Sequence, residues 1–489
     1  MKQRLSVLRP VLLCLLPFVL AIAHADAAAA QPNIIVVLID DMGWGDLSSF
    51  GNTDAKTPNI DRLAAEGIRY SQFYVNAPIC SPSRVALMTG QYPHRWRITS
   101  FLNNRADNAR RGMAQWLDPQ APVLARLLKP RGYATGHFGK WHMGGQRDVG
   151  EAPLITEYGF DESLTNFEGL GPRLLGLADA HDGGPIRRHS LNSEKLGRGP
   201  VIWYDRAQLT AGFTGAAMQF IQKASADGRP FLVNLWPDDV HSPFFPPAAK
   251  RGDGGKRALY HGVLETMDAQ LGVLFDFIRS TPALRDNTLI VVCSDNGHEP
   301  GAGSAGPLKG AKGTLFEGGI RSPLVVWGPG FIAKGKTGSH NETSVFAAFD
   351  LVPSLLRFTG ADAPSGVTFD GENVIDTLLG RSTASRQAPI CWRRPPDRKA
   401  SPYGLPPQPD LAIREGKWKV LCDYDGTRQE LYDLTVDRAE TTNVAAQHPE
   451  MTRRLVAAVL AWHNSMPPDN GPAIGLGKAP AGGNRKKAK

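Results

Sequence analysis

The chain contains two continuous runs of apolar, mostly β-branched residues, and each run ends abruptly in polar ones. Residues 34–39 lead directly into two aspartates, and residues 288–293 lead through one serine into an Asp-Asn pair. An uninterrupted apolar run of this length is typical of a strand buried on both faces, as in a parallel sheet. The pattern therefore predicts two central strands whose ends carry acidic or amide side chains.

Strand-like and helix-like segments alternate along most of the chain. Further strands are predicted at 133–138, 231–236 and 323–327, and helices at 57–67, 124–128, 207–224 and 263–278. The helix at 57–67 has a recognisable start, a threonine followed by proline, and a glycine at its end. This alternation over 33–355 predicts an α/β domain with a mostly parallel sheet, in which ligands gather beyond the carboxyl ends of the strands.

The remaining segments break this pattern. Residues 169–199 are glycine-rich and are predicted to form an irregular surface excursion near the mouth of the site. After a proline-rich stretch at 394–409, antiparallel strands are predicted at 411–423 and 430–434, with a helix at 451–462 that could cover them. We therefore divide the chain into a catalytic domain at 26–390, a smaller C-terminal α+β domain at 391–466 and a disordered basic tail at 467–489.

The first 25 residues have the form of a signal peptide. Positive charges at Lys2, Arg4 and Arg9 precede an apolar run at 11–22 and an Ala-His-Ala cleavage site. The run is too short to span a bilayer comfortably, so a retained anchor is the less favoured alternative. We expect an exported protein, periplasmic or secreted, with no membrane anchor after cleavage.

The formal net charge of +8 is concentrated at the two ends of the chain. Three cations of the predicted signal peptide and five that follow Gly477 account for all of it, so residues 26–477 carry no net charge. Their composition therefore does not favour nucleic acid as a partner, and an anionic substrate would have to be met by a local positive site.

Four of the five cysteines lie outside the predicted signal peptide: Cys80, Cys293, Cys391 and Cys422. This is too few for a disulfide scaffold. Cys391 and Cys422 either pair in an oxidising compartment or remain two free thiols, and the sequence leaves both possibilities open. Cys293 lies within an apolar run and is predicted to be a small buried side chain.

Acidic and amide side chains follow the two central strands, Asp40 and Asp41 after one and Asp295 and Asn296 after the other. An isolated Asp-Asp pair is more often a turn or helix cap, but two such strand ends together can form a metal site. An all-oxygen ligand set favours Ca²⁺ or Mg²⁺, and no cysteine or histidine cluster has the spacing of a zinc site.

Residues 80–84 read Cys-Ser-Pro-Ser-Arg, and this stretch resembles the modification site of type I sulfatases. In that family the cysteine of Cys-X-Pro-X-Arg is oxidised to formylglycine, whose hydrate attacks the sulfate ester. Further motifs similar to the family's occur in the expected order: Gly43-X-Gly45-Asp46, Thr57-Pro58-Asn59-Ile60-Asp61, Gly139-Lys140-Trp141-His142, His241-Ser242-Pro243, Ser294-Asp295-Asn296-Gly297 and Glu317-Gly318-Gly319-Ile320-Arg321. The likeness covers 32–462 and is greatest to arylsulfatases and N-acetylgalactosamine-6-sulfatases, which implies an alkaline-phosphatase-like fold.

The resemblance also implies a role for each matching residue. Asp40, Asp41, Asp295, Asn296 and the modified Cys80 side chain bind the divalent metal, which is Ca²⁺, with Mg²⁺ as the alternative. Asp295 takes a proton from the nucleophile, and Arg84 orients the formylglycine. Lys140 and Lys312 hold the sulfate oxygens. His241 assists the leaving alcohol and also contacts the substrate, and His142 removes the proton whose loss expels sulfate.

Each of these residues has a plainer interpretation, which only their joint occurrence makes less favourable. A lone histidine is more often structural, and we assign that role to His137 and His298. Lys309 competes with Lys312, which is preferred because it directly precedes the glycine-rich motif. The Pro237-Asp238-Asp239 stretch before His241 has no assigned catalytic role but could contact the substrate.

The function predicted from the sequence is hydrolysis of a sulfate monoester on a small molecule or saccharide, with segments 101–116 and 169–198 lining the pocket. The alternatives are a phosphonate or phosphate monoester hydrolase on the same fold and a non-catalytic binding protein. A formylglycine-generating or equivalent maturation enzyme is the implied protein partner.

Overall fold

The computed structural model describes residues 31–179, 181, 184–397 and 408–469. The predicted signal peptide and nearly all of the predicted tail lie outside these residues. Within them, no helix has both the length and the apolar character needed to cross a membrane.

A twelve-stranded sheet forms the centre of the protein, with strand order β11-β2-β10-β9-β1-β8-β3-β4-β5-β6 and with β12 beside β2 and β7 beside β5. Its strands are β1 (Asn33–Ile39), β2 (Ile68–Tyr74), β3 (Ala134–Gly139), β4 (Glu162–Thr165), β5 (Arg173–Ala178), β6 (Arg187–His189), β7 (Val201–Asp205), β8 (Phe231–Trp236), β9 (Thr288–Ser294), β10 (Arg321–Trp327), β11 (Ser339–Asn341) and β12 (Phe346–Ala347). The central strands β9, β1, β8, β3 and β4 are parallel, whereas β10 runs antiparallel to β9 and β2.

Helices cover both faces of this sheet. They are α1 (Pro58–Glu66), α2 (Cys80–Thr89), α3 (Arg105–Arg110), α4 (Leu124–Leu128), α5 (Leu209–Ala226), α6 (Lys256–Ser280), α7 (Pro282–Arg285), α8 (Glu317–Ile320), α9 (Leu351–Thr359), α10 (Ile375–Leu378) and α11 (Pro449–Ser465). Alternate residues of β1 enter two separate cores, so that Val36 packs with α2 and α9 while Val37 packs with α5 and α6. This two-sided burial is the reason that the strand is apolar throughout.

A second, antiparallel sheet is built from β13 (Ile390–Arg393), β14 (Leu411–Glu415), β15 (Trp418–Cys422) and β16 (Glu430–Asp433), and α11 packs on it. Its core includes Tyr74 at the end of β2 and Leu315, so the small sheet packs directly against the large one. The predicted fold class, a mostly parallel α/β sheet with a smaller antiparallel α+β unit, is confirmed.

Three segments differ from the predictions. Residues 169–199 are not an irregular excursion, because β5 and β6 lie within them, β7 follows directly, and all three extend the large sheet. Gly176 lies within β5 itself, whereas Gly171, Gly197 and Gly199 lie in the connections and have positive φ. The segment predicted as one strand at 411–423 is a hairpin of β14 and β15. Helix α6 begins at Lys256, earlier than its apolar stripe, because its first turns are largely exposed.

The structure also decides between the two possibilities for the C-terminal cysteines. Cys391 lies in β13 and Cys422 in β15, with β14 between them. Two strand spacings separate such residues by about 9.5 Å, which exceeds the reach of a disulfide. Both are buried free thiols, as are Cys80 and Cys293.

Candidate active site

The ends of β1 and β9 bring the four predicted oxygen ligands together. The two strands are parallel and in register, with Ile39 opposite Ser294, so their following residues emerge side by side. The Asp41 amide donates to Asp295 Oδ1 at 3.2 Å, and Asn296 Nδ2 donates to Asp41 Oδ1 at 2.8 Å. Together with Asp40, these side chains are fully buried.

This group has the donor chemistry of a hard-cation site. Asp40, Cys80 and Asp295 offer ligand atoms within 4.8 Å of one another. Asn296 Oδ1 is buried and accepts no hydrogen bond from the residues that the structure describes, which is the state expected of an amide oxygen reserved for a cation. Three carboxylates and one amide oxygen therefore fit Ca²⁺ or Mg²⁺.

Ionisation of the carboxyls reflects their surroundings. Burial alone would raise the pKa of Asp40, but Lys140, His241 and Arg84 hold it well below its usual range. Burial and the neighbouring Asp40 raise the pKa of Asp295 to about 7. A divalent cation between them would favour the ionised form of both.

Cys80 is the first residue of α2, directly beside this group. Its Sγ lies 3.6 Å from Asp40 Oδ1, and only 2% of the residue is exposed. The helix begins at Cys80 itself, with Ile79 as its N-cap residue. The amino terminus of α2 thus directs its positive end at the Cys80 side chain, and burial raises the pKa of this thiol.

Arg84 lies one turn further along α2 and joins three of the site's components. Its Nη2 is 2.8 Å from Asp295 Oδ2 and 3.3 Å from Asp40 Oδ1. Its Nη1 donates to the Lys140 carbonyl at 3.0 Å. The guanidinium thereby fixes α2 against the ends of β1, β9 and β3.

Two lysines reach the same carboxylates from different sides. Lys140, directly after β3, places Nζ 2.5 Å from Asp40 Oδ2, and Lys312 places Nζ 2.5 Å from Asp41 Oδ2. Burial alone would lower the pKa of Lys140, but Asp40 raises it above its usual value, so the ammonium stays charged. Lys309 lies elsewhere, with Nζ 3.3 Å from the Glu440 carbonyl and 4.0 Å from the centre of the Phe316 ring.

The two histidines differ in position. His241 lines a cavity, where Nδ1 donates to the Ser242 carbonyl at 2.5 Å and Nε2 lies 3.6 Å from Asp41 Oδ2. Burial, reinforced by Lys312, lowers the pKa of His241 to about 4. His142 is fully enclosed, with Nε2 3.1 Å from the Leu102 carbonyl.

His137 and His298, assigned structural roles from the sequence, remain outside this arrangement. The His137 ring is packed among Trp141, Phe160 and Trp236 at centroid distances of 5.1 to 5.6 Å. His298 is partly buried, and its carbonyl accepts from the Lys312 amide at 3.1 Å, so it supports the backbone of that loop.

A cavity of about 300 Å³ opens beside Asp40 and His241. Its wall includes Phe167, Phe245 and, from the predicted segment 169–198, Leu175, Gly176, His189, Ser190 and Leu191. Segment 101–116 does not line it, contrary to prediction. That segment lies behind His142, where the Phe101 ring stacks on Arg111, which is paired with Asp397.

Two further polar groups line this cavity, Asn166 and Asp238. The Asp238 carboxylate is held by Arg206 Nη2 at 3.2 Å from Oδ2, while Oδ1 is buried without a hydrogen-bond donor among the described residues. Asn166 Oδ1 is likewise buried and has no hydrogen-bond donor among the described residues. The acidic pair before His241 was the available signal for Asp238, whereas nothing marked Asn166.

A second buried charge cluster supports the loop that carries Lys312. Lys419 Nζ, on β15, lies 3.0 Å from Glu317 Oε1 and 2.8 Å from Glu440 Oε1. Glu440 Oε2 in turn accepts from the Glu317 amide at 2.7 Å, and all three side chains are fully buried. The small sheet thus holds one end of a catalytic-site loop.

Comparisons with known proteins agree with this geometry. Residues 32–361 match the sequence model of the sulfatase family. Arylsulfatase A of Bos taurus is 32% identical over 446 residues, which cover 86% of this chain and 80% of that protein. N-acetylgalactosamine-6-sulfatase of Canis lupus familiaris is 34% identical over 396 residues, which cover 77% of this chain and 71% of that protein.

Solved structures give the same result for the fold. Ps i-CgsB in complex with k-i-k-neocarrahexaose superimposes with a TM-score of 0.72 at 26% identity, covering 88% of this chain and 92% of that one. The phosphonate monoester hydrolase of Agrobacterium radiobacter, at 22% identity and a TM-score of 0.59, shares the fold. The expected alkaline-phosphatase-like architecture is thereby confirmed. The chain belongs to the sulfatase family and is an enzyme that hydrolyses sulfate esters.

Proposed function

We propose that the protein cleaves a sulfate monoester of a sugar, with a formylglycine made from Cys80 as nucleophile. The observation that carries this proposal is the position of Cys80: it lies at the positive end of α2, beside three carboxylates, with a lysine on each side. A sulfate group placed there meets fixed positive charge where negative charge develops during S–O cleavage.

A divalent cation is the second part of the proposal. Asp40, Asp41, Asp295 and Asn296 would hold it, and their all-oxygen character favours Ca²⁺, with Mg²⁺ as the alternative. When bound, such an ion neutralises sulfate oxygens and makes a nearby hydroxyl more acidic.

The protein's own side chains divide the remaining work. Lys140 and Lys312 bind the non-bridging sulfate oxygens, and Arg84 keeps α2 and Asp295 in place through its contacts of 2.8 and 3.1 Å with Oδ2. His241, at the cavity wall, assists the departing alcohol oxygen. His142, which is fully buried, takes up a proton as sulfate is released.

A sugar as leaving group is supported by the cavity. Phe167 and Phe245 provide apolar surface, and Asp238 and Asn166 each have an Oδ1 that lacks a donor among the described residues and can accept from a hydroxyl or amide. The names of relatives point the same way: N-acetylgalactosamine-6-sulfatase is similar over most of the chain, and one similar structure holds a neocarrahexaose. The sugar and the position of its sulfate are outside this proposal.

The remaining elements of the proposal concern the chain's setting. The signal peptide at 1–25 would export the protein to the periplasm or beyond, and a formylglycine-generating or equivalent enzyme would act on Cys80. The division into a catalytic domain at 26–390 and a C-terminal domain at 391–466 also stays a proposal.

The test combines mass spectrometry of the Cys80 peptide with hydrolysis of 4-nitrophenyl sulfate and of an aryl phosphonate ester. We expect a formylglycine mass, preference for the sulfate ester and no turnover by Cys80→Ala. Cys422→Ala, which removes a thiol remote from the site, serves as the matched control and should remain active. Preference for the phosphonate would favour that alternative activity, and inactivity on both esters with modified Cys80 would favour a binding protein.

A further inference from the structure

Glu168 is a buried carboxylate that the proposed reaction does not yet use. It follows Phe167, whose ring centre lies 5.3 Å from that of His142 and 6.0 Å from that of His241, and only 1% of Glu168 is exposed. Neither of its carboxylate oxygens makes a hydrogen bond of normal geometry within the described part of the chain. Burying a carboxylate without such hydrogen bonds lowers the stability of the folded protein. The presence of Glu168 here therefore calls for a partner that becomes available during the reaction.

That partner is His142. The His142 amide donates to the Glu168 carbonyl at 2.8 Å, which fixes the two backbones together. His142 Nε2 lies 3.6 Å from Glu168 Oε2 and 3.1 Å from the Leu102 carbonyl. A carbonyl only accepts, so the ring proton resides on Nε2, and Nδ1, which has no partner among the described residues, carries the lone pair.

The other charges around His142 work against its protonation. Burial, followed by Lys140 and Arg84, lowers the pKa of His142 well below that of a free histidine, and Asp40 only partly offsets them. On the other side of Glu168, Arg147 Nε lies 3.3 Å from Oε1. Burial raises the pKa of Glu168 to about 7, against the opposing influence of Arg147 and Lys140.

We propose that Glu168 is a positioning residue for His142: together with the Leu102 carbonyl it holds the ring proton on Nε2, leaves Nδ1 as the base, and supplies the negative charge beside the imidazolium. This inference rests on the proposed function, in which His142 accepts a proton as sulfate is released. The proton enters at Nδ1 and later leaves to solvent, while Glu168 forms no covalent bond and is kept ionised by the imidazolium beside it. A carboxylate behind a histidine is a recurrent way to orient a catalytic base.

The kinetic test uses Glu168→Gln in the full-length, modified enzyme with 4-nitrophenyl sulfate. In the proposed reaction only the release of sulfate, which follows the departure of 4-nitrophenol, depends on His142. We therefore expect kcat to fall at least 10-fold, and by no more than the roughly 10²–10⁴-fold that a positioned base supplies. At the same time kcat/KM should stay within about three-fold, and a burst of about one equivalent of 4-nitrophenol per site should appear. Glu168→Asp should recover part of kcat.

Asp350→Asn is the matched control, because Asp350 is another fully buried carboxylate but lies against Arg386, away from the cavity. It should show no burst, even if it unfolds at a lower temperature. A parallel loss of kcat and kcat/KM in Glu168→Gln without a burst would overturn the inference, since that pattern reports general damage to the site.

A second readout does not depend on activity. In protein labelled with ¹⁵N-histidine and carrying unmodified Cys80, the Nε2–H resonance of His142 should lie downfield because of the adjacent carboxylate. It should move upfield in Glu168→Gln and return in Glu168→Asp, and an unchanged resonance would refute the contact. If the modified wild-type enzyme leaves 4-nitrophenyl sulfate intact, the proposed function fails, while this resonance still decides the role of Glu168.

Discussion

Lys419→Met is expected to be one of the most destabilising single substitutions outside the catalytic residues. The ammonium lies 3.0 Å from Glu317 and 2.8 Å from Glu440, and no water reaches any of the three side chains. Methionine keeps most of the aliphatic volume, so the change removes charge without opening a cavity. Removing one partner of a buried ion pair leaves an uncompensated charge and costs about 3–5 kcal/mol.

The cost should depend on pH in a defined direction. Burial raises the pKa of Glu440 to about 7, although Lys419 opposes this shift. Without Lys419 the pKa of Glu440 rises further. Glu440 is then neutral at pH 5.5, and at pH 8 the folded variant is destabilised because its buried carboxyl resists ionisation. A carboxyl whose pKa is raised on folding stabilises at low pH and loses that contribution as the pH rises. The difference in the free energy of unfolding between Lys419→Met and the wild type should therefore be larger at pH 8 than at pH 5.5.

The assay is urea unfolding followed by tryptophan fluorescence at both pH values, with free energies from linear extrapolation. Lys419→Met/Glu440→Gln should recover at least half of the loss at pH 8, because glutamine retains the acceptor for the Glu317 amide. A cost below about 1 kcal/mol at pH 8, or no recovery in the double variant, would refute the reasoning, since surface-type ion pairs contribute no more than that.

Three further predictions concern the cation, the cavity and a remote carboxyl. Removal of divalent ions with a chelator should lower both the hydrolysis rate and the unfolding temperature, and Ca²⁺ should restore both; an unaffected enzyme would contradict the oxygen-ligand site. Neutral monosaccharides are first screened as inhibitors of 4-nitrophenyl sulfate hydrolysis, and Asp238→Asn should weaken inhibition by the best of them about 5- to 100-fold. The KM for the aryl ester should change less than two-fold, and equal effects on both quantities would show that Asp238 does not contact the sugar. Burial raises the pKa of Asp350 to about 6, so its contribution to stability is lost as the pH rises from about 4 to 6, by up to about 3 kcal/mol; Asp350→Asn should flatten that part of the stability profile, and an unchanged slope would argue against the shift.

The central strands could be read from the sequence because their burial is two-sided. Neighbouring residues such as Val36 and Val37 enter different cores, and this produces an apolar run that few other structures require. The acidic residues after β1 and β9 meet because parallel strands end at the same edge of a sheet. Local pattern and strand direction together were therefore sufficient to predict this part of the site.

Strand β2 was not predicted, and its sequence explains why. Ile-Arg-Tyr-Ser-Gln-Phe-Tyr mixes apolar and polar residues without clean alternation, because long polar side chains find specific partners. Gln72, for example, donates to the Glu342 carbonyl at 2.6 Å, a contact between residues 270 positions apart. Such distant partners leave no local signal.

The cavity was the least predictable part for the same reason. It is lined by residues from β5, from the segment after β6 and from the loop after β8, which only the completed sheet brings together. Segment 101–116 was also expected to line the cavity, but it does not. The Leu102 carbonyl of this segment instead accepts a hydrogen bond from His142, so the segment helps to position the His142 ring.

The burial of Cys80 has a consequence for the order of events during biosynthesis. With only 2% of the residue exposed, the side chain is closed off by α2, Asp40 and Lys140 once the sheet has formed. The proposed maturation enzyme would have to reach this side chain, which the folded protein encloses. If Cys80 is converted as proposed, conversion therefore precedes folding, and protein that has folded with its thiol intact is expected to stay inactive until it is unfolded and processed again.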